Sequence, residues 1–180
     1  PPSGVIFESV RIFDGRADRV SAPSNVLVLG NTIKTISTAP IPPPPAATVT
    51  RIDGRGRTLM PGLIDAHTHL MFETLPQMAI LSGDIGFINV AAVKGAGDML
   101  MRGFTSVRDL GGPVFGLKRG IDMALVPGPR IWPAGAFISQ TGGHGDFRLP
   151  NELPVSPGSY SFSERVGAAV IADNADTVRQ

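Results

Sequence analysis

The stretch "LMPGLIDAHTHL", Leu59–Leu70, places two of the chain's three histidines one residue apart behind an apolar run. Pro61 and Gly62 punctuate the chain, and the residues after them read as a short strand ending in His67-Thr68-His69. Side chains alternate along a strand, so His67 and His69 point to one side and Thr68 to the other. Two imidazoles at that spacing can converge on one cation. The same pattern also suits two polar residues that only hydrogen-bond at a strand tip, and spacing alone leaves both readings open.

Downstream, short apolar strands alternate with helical patterns. The spacing predicts a helix over much of Phe87–Arg102, with Phe87, Val90, Ala91, Met99 and Leu100 on one face and Gly103 as its stop. "FTSVRDL" from Phe104 reads as a second strand, Val114–Ala124 as a second helix and "RIWPAGAFIS" from Arg130 as a third strand. Strand, helix, strand, helix, strand implies parallel pairing. In a parallel barrel the strands deliver functional residues from their carboxyl ends into one mouth, and the histidine pair lies at such an end. A long Gly- and Pro-rich loop follows, "QTGGHGDFRLPNELPVSPGSYS", of the size that often carries function. Asn174 then reads as the N-cap of a further helix.

Upstream, "GVIFESVRIFD" and "NVLVLGNTIKTIS" are rich in Val, Ile and Phe and read as β-structure, with a tight hairpin turn at Gly30-Asn31. "PIPPPP", Pro40–Pro45, lacks amide donors and reads as a surface loop. The fold class is α/β, divided into a β-rich part over residues 1–57 and an alternating part over 58–180.

Composition narrows the chemistry. With no Cys, any metal must rest on His and carboxylate. Lys plus Arg number 16 against 15 Asp plus Glu, so no broad field of one sign favours nucleic acid or a membrane surface. No apolar run approaches the roughly 20 residues of a membrane span. Gly 22 and Pro 17 exceed the usual combined share of about 12%, and because they fall between apolar runs they read as turns rather than disorder. No compartment is assigned: a cytoplasmic chain and an exported, processed one would read alike.

Other residues carry two readings each. Asp65 shares a side with the histidines and can orient a ligand imidazole or simply pair with a nearby base. Arg108 and Asp109 end the second strand, where an ion pair is the plainer role. Tyr160 and Arg148 read as solvated loop residues within reach of a substrate. The methionines of "MFETLPQM" and "DMLM" read as packing. His144, in "GGHGD", is flanked by glycines that allow close backbone approach.

"PGLIDAHTHL", followed by "GFTSVRDLGG" and "FISQTGGHGD", resembles the metal-dependent amidohydrolase superfamily, in the branch of Xaa-Pro dipeptidases, carboxypeptidase-like enzymes and ochratoxin-hydrolysing amidases. The resemblance implies part of an N-terminal β-sandwich followed by the first three units of a TIM-type (β/α)8 barrel. It implies that His67 and His69 are metal ligands and that His144 contacts substrate. Two divalent metals are implied, zinc first with manganese or cobalt as alternatives, bridged by a carboxylated lysine that lies outside this chain. The catalytic aspartate is likewise expected beyond residue 180. The implied reaction is attack of a metal-bound hydroxide on the amide of a dipeptide or N-acyl amino acid. The partners are that small molecule and the C-terminal remainder of the enzyme, with no nucleic acid or membrane; relatives often form homo-oligomers. A mononuclear deaminase of the same superfamily and a non-catalytic barrel scaffold are the alternatives.

Overall fold

The computed structural model describes residues 3–45, 47–152 and 160–179. It separates into two compact units, Pro1–Pro61 and Gly62–Gln180.

The first unit is one mixed sheet. Strands β1 (Ser3–Ile12), β2 (Ser24–Leu29), β3 (Thr32–Ser37) and β4 (Thr48–Asp53) lie in the order β3-β2-β1-β4, and β5 (Thr58–Leu59) also pairs with β1. β1 and β2 are antiparallel, β1 and β4 parallel. The β2–β3 hairpin turns at Gly30-Asn31, with Gly30 at φ 57° and Asn31 at negative φ, the pattern in which glycine takes the first central position. Ile6, Leu27 and Ile41 form the core, with Leu29 and Val49 against it. Ile41 is the apolar residue inside the proline run, so that surface loop is pinned to the sheet by one side chain. Among the described residues this unit holds a single sheet. One boundary shifts: because Thr58–Leu59 pairs with Arg11–Ile12, the break between units falls after Pro61 and not after residue 57.

The second unit is built on the parallel sheet β6 (Leu63–Thr68), β7 (Phe104–Asp109) and β8 (Arg130–Pro133), in the order β6-β7-β8. Two helices connect β6 to β7, a short α1 (Gln77–Ser82) and the longer α2 (Ile85–Met101); α3 (Phe115–Asp122) connects β7 to β8. Asp84 caps α2 by accepting the Phe87 amide at 3.0 Å, and Gly103, at φ 99°, ends it in the left-handed conformation. The core joins Leu70, Met71, Ile88, Ala92, Met99 and Val107 between helix and sheet.

The buried face of α2 is Ile88, Ala92, Gly95, Ala96 and Met99. Of the face predicted from spacing only Met99 belongs to it; Phe87 and Val90 are exposed. Apolar residues surround this helix, so the small side chains that let it approach the sheet decide which side is buried. The predicted third strand is also two. β8 stops at Pro133, Gly135 takes φ 93°, and β9 (Phe137–Ser139) pairs in parallel with β10 (Ala169–Ile171) in a separate sheet. Between them lies α4 (Phe162–Arg165), and α5 (Ala175–Val178) opens at Asn174, which accepts the amides of Asp176 and Thr177. The long loop is described except for residues 153–159.

Candidate metal centre and substrate cavity

His67 and His69 both stand at the carboxyl end of β6. Thr68 between them is buried, as alternation requires, while His67 is exposed and His69 half-buried. Their ring centroids are 5.2 Å apart and the rings nearly perpendicular, at 87°. The His69 Nδ1 is buried without a hydrogen-bond partner. An imidazole nitrogen so placed lacks the compensation that a buried polar atom ordinarily finds, and a cation would supply it. Nearby Glu73 has its carboxyl pushed up chiefly by burial, with Arg102 pulling it down and Asp65 and Asp109 adding smaller upward pushes. The donor set fits a divalent metal of the imidazole-accepting kind. Among the described residues no third His or carboxylate joins the pair in a metal-holding cluster.

Asp65 accepts the backbone amide of His67 at 3.0 Å. It fixes the main chain at the first histidine.

The larger surprise is Asp109, assigned from sequence to an ion pair with a base. It is fully buried, and Arg108 beside it is exposed. The carboxylate accepts the amide of Leu70 at 2.8 Å and that of Gly111 at 3.2 Å. Burial pushes its pKa up, against these two amides and the nearby His69, which pull it down. Asp109 thus ties the residue after His69 to the end of β7. The sequence signal is thin: a carboxylate closing an apolar strand, its partner 39 residues away.

His144 sits on a turn built to hold it. Gly142, at φ 70°, donates its amide to Asp146 Oδ2 at 2.8 Å, and the Gly145 amide donates to Ser139 Oγ at 3.1 Å. The Thr141 amide and hydroxyl both donate to Asp173, each at 2.7 Å. Arg148 donates to Asp146 through two nitrogens and holds that carboxyl well below its usual range. The turn therefore has a charged brace at its base, and Arg148 is part of it rather than free for substrate. Tyr160 is exposed.

His144 and His69 line one cavity of about 280 Å³. Phe137, the first residue of β9, lies 5.0 Å from the His69 ring, centroid to centroid, and 5.3 Å from Phe147, edge to face. Phe72 stacks on Phe137 at 6.1 Å. His67 is not among the residues that line this space.

Residues 58–178 match the model of the amidohydrolase family. The chain belongs to the amidohydrolase family. Ochratoxinase of Aspergillus niger is 33% identical over 132 residues, covering 68% of this chain and 27% of that protein. A crystal structure of a prolidase complexed with N-methylphosphonate-L-proline superposes with TM-score 0.78 at 32% identity, over 98% of this chain and 42% of that one. A Xaa-Pro dipeptidase with methionine bound in its active site gives TM-score 0.70 at 26% identity, over 97% of this chain and 42% of that one. The chain thus spans about a quarter to two fifths of the length of these amidohydrolase relatives. No helix among the described residues is long and apolar enough to cross a membrane.

Proposed function

We propose that these residues form the front of a metal-dependent hydrolase of amide bonds, which releases an amino acid from a dipeptide or an N-acyl amino acid. The observation that carries the proposal is the convergence of His67 and His69 at a strand end, with the His69 Nδ1 buried and unpartnered. The names of the relatives, a prolidase, a dipeptidase and an ochratoxinase, supply the bond class.

In this reading His67 and His69 hold a divalent cation, zinc, manganese or cobalt, and the remaining ligands, the bridging carboxylated lysine and the proton-transferring aspartate come from sequence outside these 180 residues. The three strands described are then the first of a (β/α)8 barrel, and the β-rich unit is part of a sandwich that accompanies it. Bound there, such a cation polarises a carbonyl and lowers the pKa of water to about 7. The chain's own residues do the rest of the work at this end of the site. Asp65 and Asp109 fix the backbone on either side of the pair, so neither imidazole has to be ordered when substrate arrives. His144, on its braced turn, donates to the substrate's amide carbonyl or terminal carboxylate. The phenylalanines around His69 keep water from the imidazole.

The test is metal content of the complete enzyme by elemental analysis, with hydrolysis of Xaa-Pro dipeptides and N-acyl amino acids measured in parallel. The double variant His67→Ala, His69→Ala is expected to lose at least one metal equivalent and essentially all turnover. Stoichiometric metal with full turnover in that variant overturns the proposal.

A further inference from the structure

We propose that Asp173 is a positioning residue for the reaction: it sets His144 against the substrate by clasping the foot of the turn that carries it. The inference rests on the amide-hydrolase reading, in which His144 touches substrate, and adds a residue that acts through it. The Asp173 carboxylate accepts the backbone amide of Thr141 through Oδ1 and its hydroxyl through Oδ2, each at 2.7 Å. Such a two-point, charge-assisted contact fixes direction as well as distance. The backbone of Asp173 is held on both sides. Before it, the Ala172 amide donates to the Ser139 carbonyl at 2.7 Å, where the β9–β10 ladder ends. After it, Asn174 caps α5 by accepting the amides of Asp176 and Thr177, each at 3.1 Å.

The clasp stands where β9 leaves the ladder. Ser139 is the last residue of β9 in register with β10, opposite Ile171. Beyond it the Thr141 amide meets a side-chain carboxylate, so the chain is held there while its path turns toward His144. The arch that follows has little slack: the Gly143 amide donates to the Gln140 carbonyl at 2.9 Å and the Asp146 amide to the Gly143 carbonyl at 3.0 Å. It lies close on β9, since a Cβ at Gly145 would stand 3.0 Å from the Cβ atoms of Phe137 and Ser139. A stiff arch turns as one body about its foot, and a movement at Thr141 therefore reaches the His144 ring. The Asp146–Arg148 pair stiffens the arch from within, whereas Asp173 lies 32 residues along the chain from Thr141 and ties the arch to another element. Asp173 is exposed, so the contact adds little to overall stability and its effect falls on placement.

The experiment uses the complete, metal-loaded enzyme with Ala-Pro and N-acetyl-L-methionine as substrates. Asp173→Ala is expected to lower kcat/KM by about 10- to 100-fold, through the same parameter, kcat or KM, that moves in His144→Ala. Thr141→Ser should behave as the parent and Thr141→Val should fall between the parent and Asp173→Ala, because serine keeps the hydroxyl donor and valine keeps only the amide. The decisive comparison is the double variant: in a His144→Ala background, Asp173→Ala should cost less than about twofold more. A residue that only supports the fold would depress both backgrounds alike. Hydrogen exchange over residues 140–146, followed by mass spectrometry, gives a readout independent of turnover; Asp173→Ala should speed it by about tenfold and leave β6 unchanged. If amides are hydrolysed but the two substitutions are additive, or the exchange is unaltered, the positioning role is overturned and the amide-hydrolase reading stands. If neither amide is hydrolysed while exchange of the turn rises in Asp173→Ala, the amide-hydrolase reading is overturned and Asp173 remains the residue that positions His144. No hydrolysis together with unaltered exchange overturns both.

Discussion

Asp109 shows how much one buried group can decide about a neighbouring site. Its carboxylate is the acceptor for two buried amides, those of Leu70 and Gly111, on different strand ends. Removing an acceptor from a buried donor costs about 1–3 kcal/mol for each donor left unpaired. Asp109→Ala should therefore lower unfolding free energy by about 2–6 kcal/mol, measured by denaturant titration. Asp109→Asn keeps one oxygen and should cost less. Because Leu70 follows His69, the alanine variant should also loosen metal binding beyond what the stability loss explains, which elemental analysis at limiting metal would detect. Equal stability of Asp109→Ala and the parent would remove the argument. That His67 and His69 stand together at a strand end was legible from sequence because the spacing is local. Asp109 was not, since its meaning lies in a contact across two strands.

At the level of elements, the loop after β9 carries a charged brace, Arg148 on Asp146. Arg148 holds the Asp146 carboxyl well below its ordinary value of 3.8. The sign follows: the folded state binds this proton more weakly than the unfolded one, so the brace contributes its full stability above about pH 4 and loses it as pH falls toward the folded-state pKa. Asp146→Asn should lower the melting temperature at pH 7, and the difference from the parent should shrink as pH falls below about 4, where the unfolded parent takes up a proton that the folded one still resists. A difference independent of pH would mean that the effect is packing and not charge. Glycine bears on the same region: a Cβ at Gly111 would stand 2.2 Å from the Phe137 ring. Gly111→Ala should thus push that ring off its seat between His69 and Phe147 and reduce turnover. The hairpin turn, the helices α2 and α3 and the Asn174 cap were legible because each has local punctuation, Gly30, Gly103 and Asn174 among them, whereas the short α1 and α4 and the order of the first sheet were not. The buried side of α2 was not, because periodicity cannot rank faces when apolar residues lie all round. The split of the third strand at Gly135 was not, because a glycine inside an apolar run signals a break without saying which partner each half takes.

For the molecule as a whole, the decisive fact is what the sheet of the second unit leaves uncovered. β6 and β8 are both edges, and Ile64 on β6 is 73% exposed while Trp132 on β8 is 56% exposed. A parallel sheet with open edges and exposed apolar side chains seeks further strands, because unpaired backbone groups and apolar surface both carry a cost. If the rest of a barrel normally supplies those strands, the 180-residue polypeptide made alone should bind a hydrophobic dye and elute as oligomers at micromolar concentration. Ile64→Lys should lessen both, since an edge lysine opposes strand addition. Under the proposed barrel reading, co-expression with the remainder of the enzyme should abolish dye binding and restore stoichiometric metal, because closure that pairs β6 and β8 would also bring further ligands to His67 and His69. Light scattering with elemental analysis reads both consequences on one sample. A monomeric 180-residue chain that neither binds dye nor gains metal when the remainder is supplied would break the link between sheet closure and site assembly.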